Sequence, residues 1–282
     1  MIPFKKTILA TFVAAASPVA IAAGPQAGGF DLFVSGGAGY TWFSDNGPND
    51  KHGELRASVA YTDKSGFGGQ IDNVYSRQNL ASFLKSSSTN DFAAHGFYRT
   101  SNWQAGIFWQ NRSYDIKTGD ASGDAFFDMS SDDQKFYGVE AQGFFGDLTV
   151  SGKLGQHKFS LFQGNVKDTG TLASIGASYF LNDNLQINAS FMLDRVKVSG
   201  TDVGSKQFGL GTEYRLTDSP LSVFAQYSRT DNEMYRTDED RLLLGVKLNF
   251  GKESLRKRDR EGANSNPVQG TSLPPISFFG PI

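Results

Sequence analysis

From Leu32 to Phe250 the chain alternates apolar and polar side chains in about twelve stretches of ~10 residues. Successive side chains of a strand point to opposite faces, so each stretch has one apolar and one polar face. Strands are expected at about residues 31–43, 53–63, 67–77, 91–100, 103–113, 134–145, 148–159, 171–181, 185–198, 206–217, 221–230 and 240–250. The breaks between them are of two kinds. Asp63 to Gly66, Ser101 to Asn102, Gly146 to Asp147, Asn182 to Asn184 and Thr217 to Pro220 are short and rich in turn formers, whereas the other six are mostly longer and more polar. An even strand count with short turns on one side predicts an all-β fold, a transmembrane antiparallel up-and-down β-barrel of about 12 strands.

The alternation also assigns faces. Leu244, Val246, Leu248 and Phe250 share one side of the last strand, and Lys247 lies on the other. A lysine facing lipid at the midplane costs roughly 2 to 4 kcal/mol, so Lys247 is placed inside. The same logic points Leu185, Ile187, Ala189, Phe191 and Leu193 outward, with Gln186, Asn188, Ser190 and Asp194 inward. Extended along the chain, it gives twelve inward charges as candidate pore-lining residues: Glu54, Arg56, Asp72, Arg99, Arg112, Glu140, Lys153, Asp194, Glu213, Arg215, Arg241 and Lys247. Phe97, Phe108, Phe136, Phe144, Phe180 and Phe224 point inward too, where they would narrow or plug a lumen. Outward aromatics near the short turns, Tyr61, Phe67, Tyr98, Trp103, Phe145, Tyr179 and Tyr214, form an expected interfacial girdle.

Composition fits a barrel better than a helical membrane protein. Thirteen per cent aromatic residues and 32 glycines occur without a long apolar run after residue 22, as expected when only alternate side chains meet lipid. Before that point Lys5 and Lys6, the apolar run Thr7 to Ala16 and the small-x-small Ala20-Ile21-Ala22 match a cleaved secretory signal, residues 1–22. The expected organisation is then a lead-in at 23–30, a barrel at 31–250 and a flexible tail at 251–282. The absence of cysteine excludes a disulfide scaffold and any cysteine-based metal or nucleophile site. Loss of two lysines with the signal leaves 25 basic residues against 29 acidic ones, a balance that offers nothing to nucleic acid.

The signal, the dyad-patterned strands and the closing Gly245-Val246-Lys247-Leu248-Asn249-Phe250 resemble the porin-like outer-membrane β-barrel proteins of Gram-negative bacteria. The resemblance covers residues 1 to 250. It implies an outer-membrane location with periplasmic termini, contact with outer-membrane lipid and lipopolysaccharide, and insertion by the barrel-assembly machinery. It departs from the family at the end of the chain, where 32 residues follow Phe250 instead of closing on the last strand.

Function then rests on the inward face. Both signs of charge occur there with a slight basic excess, which favours a passive channel for small hydrophilic solutes with a weak preference for anions. The alternative is a closed structural or interaction barrel, its charges paired into a buried network and its loops or tail binding a partner. No enzyme activity, cofactor or metal is expected: His52 at a loop edge and the inward His95 and His157 sit in no recognisable serine motif. The segment Tyr114 to Asp133 carries Asp115, Asp120, Asp124, Asp128, Asp132 and Asp133, without the ligand spacing of an EF-hand, and is expected as a solvated outer loop. Its apolar centre, Phe126, Phe127 and Met129, offers a constriction if it folds into the mouth.

Overall fold

The computed structural model describes residues 29–43, 50–79, 84–118, 128–161, 166–198, 201–217, 219–233, 237–250 and 254–262. Twelve strands pair in sequence order, and the last pairs with the first to close an antiparallel barrel. They are β1 (Gly29–Phe43), β2 (Asp50–Thr62), β3 (Phe67–Asn79), β4 (Leu84–Arg99), β5 (Trp103–Thr118), β6 (Asp128–Phe145), β7 (Leu148–Leu161), β8 (Val166–Asn182), β9 (Leu185–Val198), β10 (Thr201–Arg215), β11 (Leu221–Asn232) and β12 (Thr237–Asn249). Closure leaves no edge strand, so every strand's backbone groups are satisfied within lipid. One short helix, α1 (Leu255–Glu261), follows the barrel.

The short-turn end agrees with the sequence pattern to within a residue or two. At the first of these turns Asp63 accepts hydrogen bonds from the Ser65 hydroxyl and from the backbone N–H groups of Ser65 and Phe67 at 2.7, 2.8 and 3.0 Å. These bonds, that from the Ser65 hydroxyl first, hold the Asp63 carboxyl below its ordinary range. Gly66 and Gly146 take φ of 97° and 58° in their turns, the left-handed region that glycine enters without strain.

The opposite end differs. Strands there run on into polar sequence: β4 begins at Leu84 rather than near 91, β5 continues to Thr118, and β6 starts at Asp128. Asp115, Asp128, Asp132 and Asp133 therefore belong to strands and not to the expected long loop, while Asp120, Asp124, Phe126 and Phe127 lie outside the described residues. His52, expected at a loop edge, sits within β2, buried, with Nδ1 3.3 Å from Thr41 Oγ1.

The outer face carries two levels of aromatic side chains. Near the short turns Phe30 and Tyr61 pack with ring centroids 4.7 Å apart, and Tyr98 packs against both Phe67 and Trp103 at 5.0 and 5.7 Å. Tyr40, Trp42, Phe92, Trp109 and Tyr137 form a second, exposed level. Between the two lie exposed aliphatic residues such as Ile107, Val139, Leu154 and Ile175. Beyond the second level outward positions become charged: Lys206 pairs with Glu233 at 3.0 Å, and Arg229 pairs with Asp238. An apolar band bounded by aromatic rings, with ions only beyond it, is a lipid-facing surface.

Candidate functional site

All twelve inward candidates lie on the inner face, and nine of them take part in ion pairs. Arg56 Nη2 donates to Asp72 Oδ1 at 2.8 Å, and Gln70 donates to the other oxygen of Asp72 at 2.7 Å. His95 lies between two carboxylates, its Nδ1 2.9 Å from Glu140 and its Nε2 3.6 Å from Asp72. Glu140 in turn accepts from Lys153 Nζ at 2.6 Å. One network thus crosses the inner wall from β2 to β7. Above it Arg112 grips Asp91 with two bonds of 2.6 and 3.0 Å, and His157 joins Asp194 at 2.7 Å and Gln134 at 2.9 Å. Lys247 donates to Glu213 at 2.8 Å, and Arg241 donates to Glu239 at 2.8 Å. Arg215 holds the Ser219 carbonyl of its own turn at 3.0 Å.

The inward phenylalanines belong to the same construction. Arg99 lies 4.8 Å from the centre of the Phe97 ring, Lys153 5.1 Å from Phe108, and Arg112 5.5 Å from Phe136. Phe33 carries three cations, Lys247, Arg56 and Arg258, at 4.4, 4.9 and 5.7 Å. A desolvated cation over an aromatic face gains about 2 kcal/mol, so each ring stabilises a charge that the barrel has drawn out of water. Glycines let these rings lie along the wall. Phe97 pairs across the strands with Gly68 and Gly106, Phe108 with Gly138, and Phe224 with Gly245. A Cβ added at Gly68, Gly155 or Gly245 would fall within 3.0 Å of such a ring.

The two halves of the inner wall are unlike. From β2 to β7 the interior is filled by rings and paired ions, and Phe108 and Phe136 reach Leu172 and Met192 in one buried cluster. Along the middle of β8 to β11 the inward residues are uncharged and mostly small: Ser174, Gly176, Ser178, Asn188, Ser190, Gly209, Gly211, Gln226 and Ser228. An added Cβ at Gly209 or Gly211 would meet the Ser190 or Asn188 side chain at 2.6 Å, so these glycines leave room for the polar groups of β9. A cavity of ≈ 340 Å³ borders this neutral wall. Seven of the twelve candidates also line it: Glu54, Arg56, Arg112, Lys153, Glu213, Arg241 and Lys247. Asp72, Arg99, Glu140, Asp194 and Arg215 do not, because they are tied into the wall behind. Asp91, Arg258 and Asp259, which sequence reasoning did not select, complete a lining of six cationic and four acidic side chains. Among the described residues no group of three His, Cys, Asp or Glu side chains is placed to hold a metal ion.

Of the tail read from the sequence as flexible, 251–282, residues 254–262 are folded. Ser254 caps α1 by accepting the Lys257 N–H at 3.2 Å, and the Gly262 N–H closes the helix on the Arg258 carbonyl at 2.8 Å. The helix lies across the short-turn mouth. Leu255 N–H donates to the Asp183 carbonyl at 2.8 Å, and Arg256 pairs with Asp147 and Asp183 at 2.5 and 2.7 Å. Arg258, buried, lies 3.9 Å from Asp31 and 3.8 Å from Glu213. Asp259 accepts from Thr149 at 2.6 Å, Arg260 donates to the Gly146 carbonyl and stacks on Phe144 at 5.5 Å, and Arg99 donates to the Gly262 carbonyl at 3.0 Å. Burial raises the Asp259 carboxyl above its ordinary 3.8, while Thr149, Arg260, Arg99 and Arg258 act in the other direction. The remainder of the tail, 263–282, lies outside the described residues.

No protein-family model and no curated protein sequence matches the chain. Among solved structures, the translocator domain of the autotransporter NalP from Neisseria meningitidis superposes with a TM-score of 0.50 at 14% identity, over 86% of this chain and 95% of that one. The β domain of the Bordetella autotransporter Brka gives 0.48 at 13% identity, over 79% and 99% of the two chains. The KdgM porin in complex with disordered oligogalacturonate gives 0.46 at 12% identity, over 76% and 98%. At these identities the likeness is one of fold: a closed outer-membrane β-barrel.

Proposed function

We propose that the protein is an outer-membrane channel for passive diffusion of small hydrophilic solutes, its passage displaced toward the wall of β8 to β11. The observation that carries this reading is the ≈ 340 Å³ cavity with one uncharged, small-residue polar wall. Such a wall replaces part of the hydration of a passing solute without fixing it to a charge, which is the balance conduction requires. Six cationic against four acidic lining residues add a weak preference for anions. In this reading residues 1–22 direct export, and the short turns and both termini face the periplasm.

A second reading, a closed barrel acting through its loops or tail, is favoured by one observation, the position of α1 across the mouth. Planar-bilayer recording separates them. The channel reading expects discrete ohmic steps from folded, inserted protein, with a reversal potential displaced slightly toward anions. Silence of inserted protein, both as it stands and with Arg256 and Arg258 replaced by glutamate, contradicts it.

A further inference from the structure

The helix α1 has seven residues, Leu255–Glu261, and a helix of that length does not hold its shape alone in water. Its order comes from its seat. The seat is built from one end of the barrel all round: Asp31 of β1, Arg99 of β4, Gly146 and Asp147 of the β6–β7 turn, Thr149 of β7, Asp183 of the β8–β9 turn and Glu213 of β10. Within α1 the residues turned to the cavity, Leu255, Arg258 and Asp259, follow helical spacing and close it at the short-turn end.

The ion pairs of this contact run from barrel acids to helix bases, while Arg99 of the barrel faces Asp259 of the helix. Acidic groups on the barrel, Asp31, Asp147, Asp183 and Glu213, meet Arg256 and Arg258 on the helix. The only apolar side chain that α1 buries is Leu255. The outer pairs of Arg256 are half-exposed, so they are weak and weaken further with salt. Arg258 is buried, yet its Nε and Nη1 make no hydrogen bond, and its two acids stand at 3.8 and 3.9 Å. Few apolar contacts and loosely satisfied charges mark a segment that opens locally at small cost.

We propose that the acidic short-turn mouth is a receptor for this basic segment, and that residues 254–262 are a reversible plug whose seating stops solute passage. The proposal rests on the channel reading. Release uncovers Asp31, Asp147 and Asp183, leaves Glu213 with Lys247, and withdraws the two arginines that face these acids.

The test compares the full chain with Arg256→Glu/Arg258→Glu in planar bilayers, and measures plug position independently through Leu255→Cys placed in both backgrounds. Leu255 is buried and the chain has no cysteine of its own, so a water-soluble maleimide reports on this one site. The charge-reversed chain is expected to show an open fraction and a labelling rate each about ten-fold above the parent. Raising salt from 0.1 to 1 M is expected to move the parent the same way. If the charge-reversed chain does not fold, Asp147→Asn/Asp183→Asn on the exposed turns replaces it.

Equal open fractions in two conducting chains overturn the plug and leave the channel. Silence of both overturns plug and channel together. Faster labelling with unchanged conductance also overturns the plug, because the helix would then leave without opening a path.

Discussion

Phe33 shows why charges and aromatic rings share the inside of this barrel. It is buried, and Lys247, Arg56 and Arg258 all lie within 5.7 Å of its ring, so an inward ring serves as a platform for charges. The alternation of the sequence assigns both kinds of residue to the inner face. It does not reveal that they pair, because Lys153 finds Phe108 from a strand two places away. Glu140 has the same dependence on register, joining His95 and Lys153 from two other strands. Glu140→Ala takes an acid from both Lys153 and His95 and is expected to lower stability by roughly 3 to 5 kcal/mol, read from denaturant unfolding in lipid or detergent. Asp259→Asn has the opposite expectation for plug seating. Because burial raises this carboxyl, the seated helix holds a proton there more tightly than the released one, and seating strengthens as pH falls through the window above 3.8. Asparagine retains an acceptor for Thr149 and removes the desolvated charge, so labelling at residue 255 slows and loses this part of its pH dependence.

At the scale of elements, the twelve strands, their order and their lipid faces were legible because lipid enforces a period of two. Where lipid ends, so does the signal. Residues 84–90 and 128–133 are mostly Ser, Asp and Asn, yet they lie in strands, paired in the cross-strand ladder. The helix α1 was missed for the related reason that tertiary contacts form it. Its signals were present but faint: a capping serine at 254, Leu255, Arg258 and Asp259 at helical spacing, and Gly262 just past the end. The lipid face gives a direct check. Ile107→Lys places a charge on an outward position that is 65% exposed, and it is expected to cost roughly 2 to 4 kcal/mol. Ser174→Lys, pointing into the cavity, is expected to avoid that cost and to shift selectivity further toward anions, as read from the reversal potential.

The whole molecule is a barrel half filled. One arc of its wall is consolidated by rings and ion pairs, the other is kept small by serine, asparagine and glycine, and a basic helix lies across the end where the short turns meet. A twelve-strand closure alone decides neither whether such a barrel conducts nor along which side. Side-chain volume decides both, and in the proposed channel the passage lies against β8 to β11, where the cavity is. The most direct measurement is therefore single-channel conductance after Ser190→Trp, which fills the small-residue wall at one inward position of β9. The account predicts that unit conductance falls by about half or more while the barrel remains folded and inserted. Unchanged unit conductance in the folded Ser190→Trp protein would contradict it.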